Sequence, residues 1–594
     1  MLDNFMLSES ESKDAEILLH GMFATQLPPL LNDVITKESV TALIEELAQK
    51  PKKTLFKMDS TSMYISRLDP GIKPPKYIFG GNWAAESIKF FTLKIDESWR
   101  PMAIPNIKHA VMFAYNSLLI ADDALNQIYS KADRLGGRTS HSESPIIGRD
   151  GIFSAMLYDP SDDEEDSAAV AEAAGFIGYE QTNSFFKESK LHKYRIESTY
   201  PFVLQIDLSK YFENIYTHLL AQIDVASFHF SSQNAETALQ KYLNWLDEFN
   251  QKINDNHTKG MIQGPISSKV SAEIFQLSLD QKIAAELSRT NLDVNFTRYV
   301  DDYRFFGRTI TDLEIVKNML IKLFRSHELS FNETKVKLFK GFEMQKQAHF
   351  ENYPSINSIL RGGRRSSFKF DQYQLIHDLV VQMIDTSDVP TLKAVLTFLK
   401  NKVKQGQIRF SNDQIVLSLL EFLIKVAYVL PIICMQTYKL IFEILSSVKS
   451  QIRHQCWTRL FSEFDYVTEN FADSDLEVWY FYVLSKAGVS AETMKVVSRY
   501  LTECTDPSPI VLTVLTKPHS KAANKKIEVA LLAKVTDWQK ISQSKWWLPL
   551  SQLWIATERS VDSREIRKLF LSSNSSQIQW DKLGVIEYLS RHVK

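Results

Sequence analysis

Two adjacent aspartates, Asp301 and Asp302, are the residues whose type and spacing point most directly to chemistry. They lie between two short apolar runs, residues 295–300 and 303–306, a pattern that predicts a β-hairpin with the acidic pair at its tip. Two neighbouring carboxylates repel each other, and burying either one is unfavourable unless a cation compensates. A divalent metal that prefers oxygen ligands, Mg²⁺ or Mn²⁺, would supply that compensation. A solvated acidic turn is the alternative that the pair alone leaves open.

A third carboxylate, Asp207, follows another apolar run. Residues 202–206 predict a strand that ends at Asp207, and a helix start comes directly after it. Ligands of open sheets usually bind at strand ends of this kind. If adjacent strands bring Asp207 beside Asp301 and Asp302, the three carboxylates can hold two metal ions. Such a pair activates an attacking oxygen and stabilises a leaving phosphate oxygen.

A glycine-rich turn, residues 260–269, lies between these carboxylates in the sequence and precedes a helical pattern over 270–286. Gly264 and the small residues Ser267 and Ser268 would let a base pair or a phosphate approach the backbone closely. A Gly-Pro turn before a helix is also a common structural feature with no binding role. The segment alone therefore does not decide between a binding turn and a structural one.

The elements that must position these residues fall into three zones. Residues 1–195 mix helical patterns with turns and contain an acidic run at 162–166, which we interpret as a solvated loop. Residues 196–345 alternate short β-rich runs with longer helical patterns, which predicts an α/β (α+β) fold. The third zone is residues 346–594. From about residue 370 to the end nearly every segment has helical periodicity, which indicates antiparallel helical pairs and an α-helical solenoid.

The helical zone has clear patterns and breaks. Its best helical patterns cover residues 373–384, 391–403, 414–429 and 436–448, and its breaks fall at Pro390, Gly406, Pro431, Pro507 and Pro509. A basic joint, residues 361–365, precedes these helices. It is either a solvated linker or a segment that contacts phosphate.

Composition limits the class of protein. The chain has 594 residues and 44% hydrophobic content, which suits a soluble globular protein of two to four domains. Lys+Arg 69 against Asp+Glu 71 gives a formal net charge of −2. Bulk charge therefore does not indicate a nucleic-acid partner, and such a partner would need a local basic channel.

Targeting and redox signals favour a cytoplasmic location. Three cysteines, none in CxxC spacing, argue against a disulfide framework or a zinc site. The first residues are acidic and polar, where a signal peptide needs a basic start and an apolar core. The most apolar window, residues 415–435, contains Glu421, Lys425 and Pro431, and we interpret it as a buried helix and a turn rather than a membrane span.

Four segments in order resemble the palm motifs of reverse transcriptases. Asp207 with Phe212, then Gln263-Gly264-x-x-x-Ser268, then Tyr299-Val300-Asp301-Asp302 match motifs A, B and C in order and spacing, and residues 329–335, which end in Lys335, are similar to motif D. The resemblance implies a reverse-transcriptase palm over 196–345, with the fingers in 1–195.

The resemblance also implies roles for single residues. Asp207, Asp301 and Asp302 would bind the metals, with the Leu208 carbonyl as a further ligand, and Lys335 would help pyrophosphate depart. Gln263, Gly264 and Ser268 would contact substrate. Phe212 matches the steric gate that leaves no room for a ribose 2′-hydroxyl, which favours dNTPs; core packing is the alternative for this side chain.

A second segment narrows the resemblance. Residues 100–106, followed by a helical pattern over 107–119, resemble a fingers segment of the bacterial abortive-infection (Abi) reverse transcriptases. Members of that family carry an all-α, HEAT-like region in place of a conventional thumb, which would correspond to residues 346–594. Arg100 would bind the triphosphate, since a guanidinium forms a bidentate fork with phosphate oxygens. An exposed salt-bridge partner is the alternative for Arg100.

The resemblance implies a DNA polymerase of the reverse transcriptase family that uses Mg²⁺, acts in antiphage defence and forms a homo-oligomer in the bacterial cytoplasm. Some members start DNA on a tyrosine hydroxyl without a template, but no motif identifies a priming tyrosine here. Two alternatives stay open. One is a templated reverse transcriptase that copies a dedicated noncoding RNA, and the other is a non-catalytic scaffold that binds nucleic acid.

Overall fold

The computed structural model describes most of the chain outside three long internal segments. The described residues are 6–49, 85–94, 98–120, 195–228, 233–341, 366–410, 412–488, 490–516, 520–535, 540–571 and 582–593, with a few isolated positions between them. The acidic run at 162–166 and the basic joint at 361–365 lie outside the described residues.

The N-terminal part consists of helices around one β-hairpin. Its elements are α1 (Glu9–His20), α2 (Lys37–Gln49), β1 (Ile88–Leu93), β2 (Trp99–Ile104) and α3 (Ile107–Ile120). Ser8 begins α1 with a capping box, because its side chain accepts from the Glu11 amide while the Glu11 carboxylate accepts from the Ser8 amide. β1 and β2 pair antiparallel, and α1 packs against both α2 and α3. The predicted helix after residue 106 is confirmed.

The central part is a four-stranded antiparallel sheet that packs against helices. The strands are β3 (Phe202–Asp207), β4 (Val294–Tyr299), β5 (Asp302–Gly307) and β6 (Lys337–Lys340), in the spatial order β4-β5-β3-β6. The helices are α4 (Tyr211–Asn214), α5 (His218–Ala221), α6 (Gln233–Ile253), α7 (Ile266–Thr290) and α8 (Ile310–Arg325). The alternation of side chains along strands puts Ile206, Tyr303 and Phe305 on the buried face, and all three are fully buried.

The C-terminal part is mostly helical. Its helices are α9 (Phe370–Asp385), α10 (Val389–Lys404), α11 (Asp413–Val429), α12 (Cys434–Ser447), α13 (Ser450–Phe461), α14 (Phe464–Asn470), α15 (Asp475–Ala487), α16 (Ser490–Glu503), α17 (Pro509–Leu515), α18 (Lys521–Lys534), α19 (Trp547–Ala556), α20 (Arg564–Phe570) and α21 (Gly584–Arg591). Helices α10, α12, α15, α17 and α19 pack in succession, and α9, α11 and α13 lie alongside them. The stacking is that of a helical array; a specifically HEAT-like repeat stays a prediction.

Two details of the helical zone differ from the sequence prediction. The zone is not purely helical, because β7 (Ser366–Phe368) and β8 (Ile408–Phe410) form a parallel pair. Pro431 and Pro507 lie between α-helices as predicted, whereas two of the prolines begin helices: Pro390 lies in the first turn of α10 and Pro509 is the first residue of α17. A proline fits there because the first helical amides have no intrahelical acceptor.

The apolar window at 415–435 forms most of α11, a break at Leu430 and the start of α12. Among the described residues, no single helix meets the length and apolarity needed to cross a membrane; α11 and the segment Pro431–Ser447 meet the criterion only as a pair bent by 120°.

The helical zone packs back onto the N-terminal part. The Trp479 indole donates to the Gln26 carbonyl at 2.6 Å, and the Asn106 amide donates to the Ser542 carbonyl at 2.8 Å. One apolar cluster contains buried residues from all three zones. The boundaries after residues 195 and 345 stay a prediction.

Candidate active site

The acidic pair lies at the tip of the β4–β5 hairpin, as predicted. Tyr299 pairs with Asp302 across the strands, and Val300 and Asp301 form the connecting turn. Val300 has φ 55°, a left-handed conformation that a β-branched residue adopts only when its surroundings hold it there. The tip is therefore a tight turn with a specific backbone shape.

The third aspartate lies beside this tip. β3 pairs with β5 so that Asp207 is opposite Asp302. The backbone extends the connection past the end of the strand, because the Leu208 amide donates to the Asp301 carbonyl at 3.2 Å. Asp207, Asp301 and Asp302 thus come together at one edge of the sheet, although Asp207 is remote from the other two in the sequence.

The segment around Lys335 closes the same edge. The Asn332 amide donates to the Asp207 carbonyl, and the Ser209 amide donates to the Ser330 carbonyl, both at 2.8 Å. A short 3₁₀ turn, Glu333–Lys335, then directs the lysine towards the carboxylates. Lys335 Nζ lies 3.1 Å from Asp207 Oδ2, and 61% of the lysine side chain remains exposed.

The two hairpin carboxylates have raised pKa values. Burial is the largest cause for Asp301, the charge of Asp207 adds to it, and the pKa rises to about 6. Burial also raises the pKa of Asp302, but the Arg304 guanidinium and a hydrogen bond from Gln205 act in the opposite direction. The negative charge at this edge is therefore only partly compensated by the protein itself.

Gln205 and Arg304 hold Asp302, and the sequence analysis missed both. Gln205 Nε2 lies 3.3 Å from each Asp302 carboxylate oxygen, and Arg304 Nη2 lies 3.7 Å from Oδ2. Each residue lies two positions from one of the three aspartates on its own strand, so all share one face of the sheet. That spacing could have placed them on the same face as the aspartates, but not beside Asp302, which depends on the register between β3 and β5.

The predicted substrate turn is connected to the Phe212 segment. The Met261 amide donates to the Phe212 carbonyl at 2.8 Å, which places the turn beside the half-buried Phe212. Gly264 has φ 115°, and a Cβ there would lie 3.2 Å from the Ala24 Cβ. Ser268 is fully buried, and its hydroxyl has no hydrogen-bond partner within the described part of the chain.

The N-terminal part supports this turn. The Ala103 amide at the end of β2 donates to the Gln263 carbonyl at 2.9 Å, and the Ile266 amide at the start of α7 donates to the Gly21 carbonyl at 2.6 Å. These backbone contacts come from residues that are distant in sequence. They fix both sides of Gly264.

Within the described part of the chain, Arg100 forms no hydrogen bond or ion pair with the three aspartates. It is an exposed residue of β2 opposite Thr92, and its charge acts on the half-buried Lys393 of α10, whose pKa is lowered chiefly by burial. A role for Arg100 in binding triphosphate stays a prediction.

The donor set suits a hard divalent cation. Three carboxylates converge, and the pKa of Asp301 is raised to about 6 partly because Asp207 is close. Oxygen donors of this kind are the ligands that Mg²⁺ and Mn²⁺ prefer. Among the described residues, no set of three or more His, Cys, Asp or Glu side chains is already arranged as a metal cage. A cation would instead compete with Lys335 for Asp207 and draw the carboxylates together.

Comparison with known proteins identifies a domain around this site. Residues 169–370 match the family model described as "Reverse transcriptase (RNA-dependent DNA polymerase)". The match covers all three carboxylates, Phe212, the turn at Gly264 and Lys335. No curated protein matches the chain in sequence.

Solved structures with some similarity include two telomerases from Candida species. A telomerase from Candida albicans, in complex with a TWJ fragment of telomeric RNA, is 9% identical with a TM-score of 0.26, and the alignment covers 84% of this chain and 70% of the telomerase chain. Apo telomerase from Candida tropicalis is 9% identical with a TM-score of 0.27, covering 81% and 69% respectively. TM-scores of this size do not establish a shared overall fold.

Proposed function

We propose that this chain, a nucleotidyltransferase with a reverse transcriptase domain, synthesises DNA from dNTPs at the edge of the sheet where its three aspartates meet. The observation that carries the proposal is the convergence of Asp207, Asp301 and Asp302, with Lys335 3.1 Å from Asp207. Two strands and a hairpin turn bring the carboxylates together, and a catalytically inactive domain would not need that arrangement.

Asp207, Asp301 and Asp302 would hold two Mg²⁺ ions, with Mn²⁺ as a substitute. When bound, the metals neutralise phosphate charge and favour the ionised form of the attacking hydroxyl. Gln205 and Arg304 keep the Asp302 carboxylate in place for this role. The carbonyl of Leu208 is proposed as a further ligand.

The chain's other residues orient the substrate and move its protons. The ring of Phe212 limits the space beside the sugar and favours deoxynucleotides. Gly264 lets the nucleotide lie close to the backbone, next to Gln263 and Ser268. Lys335, whose side chain is largely exposed, is placed to donate a proton to the departing pyrophosphate.

The proposal is tested with purified protein, labelled dNTPs and Mg²⁺, followed by denaturing gels. We expect incorporation by the wild type, little with rNTPs, and none by the double variant Asp301→Ala/Asp302→Ala. Asp293→Ala is the matched control, because Asp293 is an exposed carboxylate just before β4, at the opposite end of that strand from the acidic pair, where it contacts Arg308. Equal and negligible incorporation by wild type and double variant, with and without added RNA, would refute the proposal.

The source of primer and template separates two forms of the proposal. Resemblance to the Abi family supports protein-primed synthesis without a template, in which DNA is attached to a tyrosine. The reverse transcriptase domain itself supports copying of an RNA, including a dedicated noncoding RNA. Protease treatment of the labelled product, then mass spectrometry of any DNA-linked peptide, decides between them, and RNA that copurifies with the protein would favour the templated form.

The resemblance to the Abi family also supports a proposal for the cellular role. We propose antiphage defence by abortive infection, carried out by a homo-oligomer in the bacterial cytoplasm. Phage plating on cells with the wild-type gene or the Asp301→Ala/Asp302→Ala gene tests the role, and native mass spectrometry tests the oligomer. Equal plating on both strains would argue against a defence role that depends on DNA synthesis.

A further inference from the structure

A buried ionic network lies directly behind the acidic hairpin. Its centre is Arg298 in β4, whose side chain is fully buried. The guanidinium donates to Glu273 through Nη1 at 2.9 Å and Nη2 at 2.8 Å, and Nε donates to Asp280 at 2.9 Å. Both acids lie on α7 and are themselves buried. The network therefore fastens the hairpin to the long helix behind it.

The same guanidinium also reaches the tip of the hairpin. Arg298 Nη1 donates to the Val300 carbonyl at 3.0 Å. Val300 has the left-handed φ of 55°, which is a genuine outlier for a β-branched residue. Strained conformations persist only where neighbouring groups hold them. The hydrogen bond from Arg298 is such a restraint, and it acts on the peptide unit that leads into Asp301.

Neighbouring hydroxyls share the excess negative charge of the network. One guanidinium faces two carboxylates, and Tyr303 donates to Asp280 at 3.1 Å while Ser142 donates to Glu273 at 2.6 Å. The planar fork of arginine is needed here because it binds two carboxylates and a carbonyl at fixed angles. A lysine ammonium carries the same charge but cannot reproduce that geometry.

We propose that Arg298 is a positioning residue for metal binding: it holds the strained Val300 turn, and through that turn the Asp301 carboxylate, in the arrangement that accepts a divalent cation. This inference rests on the proposed function only in that the cation is taken to serve DNA synthesis. Arg298 is fully buried, so we assign it no direct contact with substrate or metal. It acts through the Val300 carbonyl and through its anchorage to Glu273 and Asp280.

The contrasting explanation is that the network only stabilises the core. The two explanations differ at Val300. Glycine adopts a positive φ without strain, so Val300→Gly removes the need for a restraint at the turn but does not repair the core. If Arg298 acts on the turn, Val300→Gly restores part of what Arg298→Lys loses. If Arg298 only stabilises the core, the second change restores nothing.

The test compares wild type, Arg298→Lys and Arg298→Lys/Val300→Gly as full-length proteins. Mn²⁺ binding is measured by electron paramagnetic resonance, with circular dichroism and thermal melting to confirm folding. We expect roughly a 10-fold or greater weakening of Mn²⁺ affinity in Arg298→Lys, the scale seen when residues that orient metal ligands are changed. The double variant should recover part of that loss.

Arg453→Lys is the matched control. Arg453 likewise donates to backbone carbonyls, those of Leu445, Ser446 and Val448, but it lies in the helical zone. Its substitution should leave Mn²⁺ affinity and dNTP incorporation unchanged. An equal loss of Mn²⁺ affinity in this control would overturn the positioning role, because the loss would then follow from general destabilisation.

The outcomes separate this inference from the proposed function. Unchanged Mn²⁺ affinity in a folded Arg298→Lys protein, no recovery in the double variant, or no Mn²⁺ binding by the wild type would each overturn the positioning role. If binding follows the expected order but the wild type incorporates no dNTP, the positioning role stands and the proposed function fails. If dNTPs are incorporated but Arg298→Lys binds Mn²⁺ normally, only the positioning role fails.

Discussion

At the scale of single residues, Asp301 is the side chain on which the site's electrostatics depend most. Its pKa is raised from 3.8 to about 6, mainly by burial and next by Asp207. Asp302 has a raised pKa as well, but Gln205 and Arg304 offset part of the rise. For Asp301 a backbone hydrogen bond and the charge of Lys335 lower the pKa, yet it still rises to about 6, so a bound cation would favour the ionised form of this carboxylate strongly.

This difference leads to a prediction about pH. A proton and a divalent cation compete for the Asp301 carboxylate, so DNA synthesis should fall as pH decreases through about 6. The midpoint of the pH–rate profile should move to lower pH as Mg²⁺ concentration is raised. Rates measured from pH 5 to 8, about one to two units on either side of the midpoint, at two Mg²⁺ concentrations would show the shift. A midpoint that does not respond to Mg²⁺ would mean that another group controls the profile.

The sign of the stability effect is opposite to that of activity. Because the folded-state pKa of Asp301 lies above its unfolded value of 3.8, the contribution of this group to stability is greatest below pH 3.8 and is lost as pH rises through about 6. At neutral pH without metal, the ionised carboxylate therefore destabilises the fold. Under the proposed function, the site keeps a group that lowers stability because its charge would serve cation binding.

At the scale of elements, the sequence was sufficient to predict the strands that carry the aspartates. Alternating apolar runs end at Asp207 and flank the Asp301–Asp302 pair, and these runs form β3, β4 and β5. Chain order alone could not reveal Gln205 and Arg304 as partners of Asp302. Their role depends on the register between β3 and β5, which pairs Gln205 with Arg304, and register is set by packing across the whole sheet.

The contacts of Arg298 also could not be predicted from the sequence. Its partners Glu273 and Asp280 are on α7, where acidic residues are ordinarily read as a solvated face. Only the packing of α7 against the sheet shows that both are buried. The β7–β8 pair was missed for a similar reason, because three-residue strands have too few residues to show a period.

The shape of the turn before α7 is constrained by its neighbours. We expect Gly264→Ala to reduce dNTP incorporation while the protein stays folded. Gly264 has φ 115°, and an added Cβ would lie 3.3 Å from Met102 Cε and 3.4 Å from the Ala103 carbonyl oxygen. Strain of this kind is on the order of 1–3 kcal/mol. The turn would move to relieve the strain, and Gln263 would move with it. Steady-state rates at varied dNTP concentration, with circular dichroism, would measure the effect.

Gly406→Ala is the control for that change. Gly406 also has a positive φ, 66°, but an added Cβ would have no atom within 4 Å. It follows α10 in the helical zone, so its substitution should strain the backbone locally without altering incorporation. Equal loss of activity in the two variants would show that the Gly264 turn has no particular connection with substrate.

At the scale of the whole molecule, the helical zone and the N-terminal part are joined by buried polar contacts. Asn106 and Ser542 are 436 residues apart in sequence, yet the Asn106 amide donates to the Ser542 carbonyl at 2.8 Å. Lys108 Nζ adds a bond to Ser542 Oγ at 3.0 Å. Because β2 supports the Gln263 turn through Ala103, the helical zone stabilises the same N-terminal part that contacts the candidate active site.

The N-terminal part and the helical zone should unfold cooperatively. We expect the full chain to melt in one main calorimetric transition, and Asn106→Ala to lower its temperature. The substitution leaves the buried Ser542 carbonyl without the Asn106 donor, which costs about 1–3 kcal/mol. The lost hydrogen bond connects the N-terminal part with the helical zone, so both parts should unfold at a lower temperature and in the same transition. Two transitions, of which only one shifts, would contradict this coupling.

Asn470→Ala distinguishes coupling from a general effect of removing an amide. The Asn470 side chain makes the same type of bond, to the Tyr466 carbonyl at 2.8 Å, but the bond is exposed and local to α14. Water can replace it, so the main transition should stay within about 1 °C of wild type. If the Asn106–Ser542 contact couples the two parts of the molecule, the melting temperatures of these two alanine variants should differ by a large amount. It also predicts that Asn106→Ala weakens dNTP incorporation near its lowered melting temperature, because the support for the Gln263 turn is lost in the same transition.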